Sequence, residues 1–214
     1  MYRLISATPS PYARKVRIAL LEKGIPFTLS TEVPWDGTTE TPAYNPLEKL
    51  PVLVLPDGRG LYESRYILEW IEAKHPDPPL LPPDTDGVLA ARQVEVIADG
   101  ICDAFVLLFW ERHRAEEQRS AAWMARQMRK VEGGLRVLDA LAVARAGADA
   151  LVGERFGLAD IAAGTVLGYL AVRFPELDWR TRHPALAGLS ARLEGRPSFR
   201  ATVPVPQVIS DRVV

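Results

Sequence analysis

The feature that most constrains this chain is the run "HPDPPLLPPDTDG" at residues 75–87, with five prolines in residues 76–83. Proline lacks an amide hydrogen and clashes with the turn before it, so no regular helix or central strand passes through such a run. A proline-rich stretch is extended and stiff. The texture differs on its two sides. Before it, short apolar runs alternate with helical spacing; after it, the spacing is helical. The chain is therefore expected to divide into residues 1–78, a connection at 79–85, and an all-helical part at 86–214.

In the first part, "YRLIS" reads as a strand. Ser10 and Pro11 follow, and proline is favoured at the first position of a helix. Ala13, Val16, Ala19 and Leu20 then recur at helical spacing, to about Lys23, where Gly24 can stop the helix. "IPFTLS" reads as a second strand, and "PWDGTTETPAYNP" as an irregular stretch with room for a short helix. "LPVLVLPDGRGLYES" predicts two strands joined by a turn at Asp57 and Gly58. Ser64 is placed to cap a helix running to Lys74, with Ile67, Leu68 and Ile71 on one face. A helix between the first two strands implies a parallel pair, and the tight turn an antiparallel one. A mixed sheet with helices on its faces follows.

In the second part, Val94, Ile97, Ala98, Ile101, Phe105 and Leu108 form one apolar stripe. Met124, Met128, Val131, Leu135 and Leu138 form another. "GLADIAAGTVLGYLAVR" is apolar nearly all round, which predicts a helix buried within a bundle. "HPALAGLSARLEGRPSFRAT" predicts one or two short helices broken near Gly195, Arg196 and Pro197.

Charge excludes one class of partner. Net charge is −1, and residues 1–80 hold nine basic and ten acidic side chains. Neither part has the basic excess of a phosphate-backbone binder, so no nucleic-acid partner is expected. The single cysteine, Cys102, allows no internal disulfide, fits a reducing compartment, and reads as a small core residue. The first ten residues lack the apolar centre of a signal peptide, and no run reaches the ~20 apolar residues of a membrane span. A soluble cytoplasmic protein without a membrane partner is expected. His75, His113 and His183 fall in connection or helix-end contexts and are expected at the surface.

Four segments carry a resemblance: "SPYARKVRIALLEKGIPF", "NPLEKLPVLVLPDG", "LYESRYILEWIE" and "FGLADIAAGTVLGYL". Together they resemble the cytosolic glutathione S-transferases, and more narrowly a bacterial, serine-type branch. The resemblance covers nearly the whole chain, and its N-terminal motifs are specific as a set. It implies a thioredoxin-like N-terminal domain with a mixed four-stranded sheet, followed by a helical-bundle domain. It implies glutathione as co-substrate, with no metal and no nucleotide, a small hydrophobic electrophile as second substrate, and a homodimer.

Residue by residue, the resemblance implies a cis Pro51. Such a bond is a minority state, about 5–6% of X–Pro bonds in folded proteins. It would turn the Leu50 backbone outward to pair with the cysteinyl unit of glutathione. Glu63 would take the ligand's ammonium. Ser64, with the helix N–H groups behind it, would take the γ-glutamyl carboxylate. Lys49 would approach the glycyl carboxylate. Ser10 would donate its hydroxyl to the glutathione thiolate and would not act as a nucleophile. Capping alone also explains Ser10 and Ser64, and a trans proline also starts strands. Ser6, Thr8 and Tyr12 carry competing hydroxyls, but Ser10 best matches "S-P-aromatic". In this fold the second substrate sits against the first long helix of the bundle, with Phe105, Phe109, Trp110 and Arg112 as candidates. Phe105 lies on the apolar stripe and reads as core, whereas Phe109 and Arg112 fall off it.

Two departures narrow the chemistry. Disulfide-exchanging branches carry cysteine where this chain has Ser10. Isomerising branches show a Ser-x-Cys pair, which "TPSPYAR" lacks. In "GLADI", Gly157 replaces the usual capping Ser or Thr, leaving Asp160 to cap. The alternatives are a non-catalytic ligand- or protein-binding member of the fold, or a glutathione-dependent isomerase, dehalogenase or peroxidase.

Overall fold

Five residues, Tyr2–Ser6, form the first strand, β1, whose Leu4 and Ile5 are fully buried. Side chains alternate across a strand, so these two point to opposite faces. In the computed structural model, which describes residues 1–210 and 213, β1 lies inside a four-stranded sheet. The other strands are β2 (Phe27–Thr31), β3 (Val52–Val54) and β4 (Gly60–Tyr62), in the order β2-β1-β3-β4. β1 runs parallel to β2 and antiparallel to β3, and β3 runs antiparallel to β4.

Register carries one row of apolar side chains through each face. Leu4 stands opposite Leu53, which stands opposite Leu61. Ile5 stands opposite Val52, which stands opposite Tyr62. On the second face, Ile5, Val52 and Val54 cluster with Tyr44, Leu50 and Tyr62. The helices α1 (Pro11–Glu22) and α2 (Ser64–Lys74) pack on each other, α1 against β1 and α2 against β4. Val16, Ile18, Leu20, Ile67, Leu68 and Ile71 are their buried apolar residues. This is the thioredoxin-like arrangement. Gly24 ends α1 at φ 65°, where a side chain would be strained. The irregular stretch after β2 holds a single turn of 3-10 helix, Thr41–Ala43.

The proline-rich run is pinned by Lys23. Its Nζ donates to the carbonyls of His75 (2.8 Å) and Pro78 (2.7 Å) and pairs with Glu72 at 2.6 Å.

Two compact units result: Met1–Leu80 with Arg196–Val213, and Leu81–Gly195. The second holds α3 (Thr85–His113), α4 (Ala121–Ala144), α5 (Leu158–Arg173), α6 (Trp179–Arg182) and α7 (Pro184–Glu194). From Leu158 to Leu170, α5 is buried at every position, and α3 packs against both α4 and α5. Asp160 caps α5 from inside. Its carboxylate accepts from the N–H of Gly157 (3.1 Å) and of Leu151 (3.0 Å), replacing the missing side-chain cap. Cys102 is buried.

Helical spacing does not continue to the end. After α8 (Pro197–Arg200), residues 203–210 have no regular secondary structure and lie with the first unit. Val203, Val205 and Val208 stay 53, 53 and 83% exposed, so no apolar stripe exists there to drive a helix.

Candidate active site

Antiparallel pairing decides which loops meet. The carboxyl end of β1 lies beside the amino end of β3, because Ile5 pairs with Val52. Val52 also pairs with Tyr62, which brings the carboxyl end of β4 to the same edge. The segments leaving that edge are the turn to Ser10, the approach through Leu50 and Pro51, and the entry to α2 at Glu63 and Ser64. The carboxyl end of β2 joins them, since Ser6 pairs with Thr31. Ligands of open α/β sheets bind outside the carboxyl ends of strands. β1 and β4 are two strand spacings apart, about 10 Å. An extended tripeptide spans about the same distance.

Ser10 is the N-cap of α1, with extended backbone at φ −66° and ψ 118°. Its Oγ accepts from the Ala13 N–H at 3.2 Å, and its own N–H donates to the Ala7 carbonyl at 3.1 Å. Among the described residues its hydroxyl proton has no acceptor, so the group can accept from the helix and still donate outward. Two of the three competing hydroxyls are committed elsewhere. Ser6 is buried and donates to the Ala7 carbonyl, and Thr8 donates to the Val205 carbonyl at 2.8 Å.

The peptide between Leu50 and Pro51 is cis, and so is that between Asp77 and Pro78. Leu50 is half-buried and stands two residues before the first ladder position, Val52, so its backbone lies outside the sheet pairing. Asn45, which the sequence reading passed over, organises this approach. It is buried; its amide donates to the Lys49 carbonyl at 2.7 Å, and its Oδ1 accepts from the Leu47 N–H at 2.9 Å. The "NP" dipeptide was the available signal. Lys49 itself is exposed. Gly60 belongs to the same construction: a Cβ there would lie 2.9 Å from the Tyr44 carbonyl oxygen.

At α2 the sequence expectation needs correction. Glu63, not Ser64, occupies the N-cap position; its carboxylate accepts from the Arg65 N–H and the Ser64 hydroxyl, both at 3.3 Å. Ser64 is the first helical residue and is buried, while Glu63 is exposed. Glu63 also has φ 71°, a backbone conformation unfavourable for any side chain and common at ligand sites. The edge thus carries two helix N-termini, each equivalent to roughly half a positive charge.

The remaining candidates are on α3. Phe105 is fully buried, its ring 4.4 Å from that of Phe174, and is core. Phe109 is half-buried under the Arg173 guanidinium at 4.4 Å, and Arg112 stacks on Phe174 at 4.5 Å while pairing with Glu176 at 2.6 Å.

Two of the three histidines are less exposed than expected. His183 is buried, with Nδ1 3.6 Å from Asp139, and His75 is half-buried and bonded to the Tyr2 hydroxyl at 2.9 Å. The end of a helix puts a side chain wherever the next element packs, which local pattern does not reveal. His113 is exposed. Among the described residues no group of three His, Cys, Asp or Glu is placed to hold a metal, and no helix is long and apolar enough to cross a membrane.

Fold and site together define a thioredoxin-like protein that presents a hydroxyl, two helix N-termini and a cis-proline approach along one sheet edge. Comparison with known proteins agrees with the fold. Residues 9–74 match the family model of the glutathione S-transferase N-terminal domain, and residues 121–192 that of the C-terminal domain. The chain belongs to the glutathione S-transferase family. It is 69% identical to a glutathione S-transferase from Methylobacterium radiotolerans JCM 2831, solved in complex with glutathione sulfonate, with a TM-score of 0.96 over 100% of this chain and 99% of that one. A glutathione S-transferase from Methylobacillus flagellatus KT, solved with glutathione bound, is 40% identical with a TM-score of 0.90, over 96 and 100% of the two chains. The GST-like protein YibF of Escherichia coli K12 is 36% identical over 202 residues, 94% of this chain and 98% of that one.

Proposed function

We propose that this chain is a serine-type glutathione transferase that binds glutathione through residues 1–78 and stabilises its thiolate with Ser10. The observation that carries the reading is the register Ile5–Val52–Tyr62, which gathers Ser10, Leu50 and Glu63 at one sheet edge. Relatives solved with glutathione or its sulfonate support the choice of ligand.

Free thiols like that of cysteine have a pKa of about 8.5, so only a few per cent is thiolate at neutral pH. A hydroxyl donating to sulfur at a helix N-terminus favours the ionised form. The thiol proton leaves to solvent, and the sulfur then attacks the electrophilic carbon of a small hydrophobic substrate, forming a C–S bond; either a leaving group departs with its electron pair, or an activated double bond opens and the resulting carbanion takes a proton from solvent. Ser10 remains a donor throughout. The Leu50 backbone would pair with the cysteinyl unit and Lys49 with the glycyl carboxylate. Glu63 would hold the ammonium. The Ser64 hydroxyl would exchange its bond to Glu63 for the γ-glutamyl carboxylate. Of the α3 candidates, Phe109 and Arg112 would face the electrophile. Exposed Tyr66, Leu89 and Val96, at 51, 61 and 47%, support a homodimer.

Retention on immobilised glutathione followed by conjugation of a halonitroaromatic electrophile tests the reading. Retention with turnover is expected. Retention without turnover would favour a binding role, and neither would overturn both.

A further inference from the structure

The segment after α8 is attached to the edge just described. Its root is held by α1: Arg14 donates to the carbonyl of Phe199 (3.2 Å) and to the Thr202 hydroxyl (3.3 Å), and Arg17 to the Ala201 carbonyl (3.1 Å). The chain then crosses the carboxyl ends of the two parallel strands. Val205 makes a reciprocal pair with Thr8: the Thr8 hydroxyl donates to its carbonyl at 2.8 Å, and its N–H donates to the Thr8 carbonyl at 3.4 Å. Further along, the Gln207 amide donates to the Glu32 carbonyl at 3.1 Å, and the Ser210 N–H to the Asp36 carboxylate at 3.0 Å.

Thr8 lies inside the turn that the Ser10 N–H closes on Ala7, and Glu32 is the residue whose N–H bonds to Ser6 at 2.8 Å. The segment therefore clips the loop after β1 to the loop after β2. It is held in part by burial of Pro204 and, less fully, of Ile209, while Val203, Val205 and Val208 remain exposed. Its hydrogen bonds reach the Ser10 turn at Thr8 and the loop after β2 through Gln207.

We propose that residues 203–210 are a strap that fixes the Ser10 turn, with Thr8 and Gln207 as positioning residues for thiolate stabilisation. The strap acts through Ser10: a turn free to shift aims the hydroxyl less well at the sulfur. This rests on the transferase reading above. Neither Thr8 nor Gln207 titrates between acid and alkaline pH, so a change in thiol ionisation on their removal reports geometry and not their own charge.

The test is the pH titration of glutathione bound to the full chain, read by the ultraviolet absorbance of the thiolate, in wild type, Thr8→Val, Gln207→Ala and Thr8→Ser. Thr8→Val keeps the volume and removes the donor; Thr8→Ser keeps the donor. The expected result is a thiol pKa about one unit higher in Thr8→Val, hence about tenfold less thiolate on the acid side. Gln207→Ala should shift it in the same direction, and Thr8→Ser should restore the wild-type value. The dissociation constant of glutathione should change less than turnover does. A depressed thiol pKa in wild type that is unchanged in both Thr8→Val and Gln207→Ala overturns the strap alone. A wild-type complex whose thiol pKa is not depressed overturns the thiolate reading and the strap together. Should Thr8→Val fail to fold, Gln207→Ala decides.

Discussion

Ser10→Ala separates two things that the serine does at once. It removes the hydroxyl that, under the proposed function, donates to the glutathione sulfur, and it removes the acceptor for the Ala13 N–H at 3.2 Å. The first loss is that of a hydrogen bond to a charged group, about 1.5–3 kcal/mol. One pKa unit corresponds to about 1.4 kcal/mol, so the bound thiol should move up by about 1–2 units, towards its free value. The second loss is that of a helix cap, about 1 kcal/mol of stability, small beside the roughly 5–15 kcal/mol of an ordinary domain. The protein should therefore stay folded and bind glutathione while kcat/KM for conjugation falls about 10–100-fold at neutral pH. The sign follows from the proposed thiolate stabilisation: a thiol pKa depressed in wild type makes the deficit full on the acid side and closes it above about pH 8.5, where the free thiol ionises unaided. Ser10→Thr keeps both functions and should recover most of the rate. The assay is a pH profile of kcat/KM together with direct titration of the bound thiolate. An alanine variant with the wild-type thiol pKa would refute the reasoning, because another donor would then hold the sulfur.

Glu63→Gly should uncouple stability from binding. It relieves backbone strain of about 1–3 kcal/mol at φ 71°, against a few tenths for the exchanged cap, so chemical denaturation should show a gain of about 1 kcal/mol while glutathione retention is lost. Retention as in wild type would remove the ammonium role. Glu22 anchors the returning chain, accepting from Arg196 at 3.1 and 2.7 Å and from the Ser198 hydroxyl. Burial pushes its carboxyl up, but those bonds outweigh burial and hold it below 4.5. Its contribution is complete above the unfolded value and lost as pH falls through the lower folded one. Glu22→Gln should thus cost about 1–3 kcal/mol at neutral pH and match wild type in strong acid, measured by urea unfolding across pH. Adjacent glycines of α4 should respond oppositely to alanine. A Cβ at Gly134 would lie 2.5 Å from Ile101 Cγ1, whereas one at Gly133 would meet only Arg136 Nη2 at 3.9 Å. Gly134→Ala should lower stability by about 1–3 kcal/mol and Gly133→Ala raise it by about 0.5–1, as thermal melts would show.

Much of the site was legible in the chain because its signals are local. Ser10 followed by Pro11 marks a helix start by the chemistry of two residues, and Asp57 with Gly58 marks a turn in the same way. The N-cap of α2 was not legible because "ES" offers two residues able to cap, and the choice between them depends on where β4 ends and α2 must pack. The cis isomer at Pro51 was reached by resemblance and not by spacing, since trans proline fits the same letters. His183 and Asn45 were missed for one reason: their partners, Asp139 and the Lys49 carbonyl, are set by how loops close over neighbouring elements. Thr8 was weighed as a rival hydroxyl, and only its bond to a residue 197 positions later removed it from that contest.

Amino-acid order alone determined where strands give way to helices, and that a proline-rich run separates an α/β half from a helical one. These follow from side-chain periodicity and backbone chemistry over a few residues. Tertiary structure decided the antiparallel register that gathers Ser10, Leu50 and Glu63 at one edge, and the return of residues 196–210 to the unit where the chain began. Both are contacts between segments far apart in sequence. Their geometry is settled by which faces must be buried and which backbone groups must find partners, and no local window contains that information.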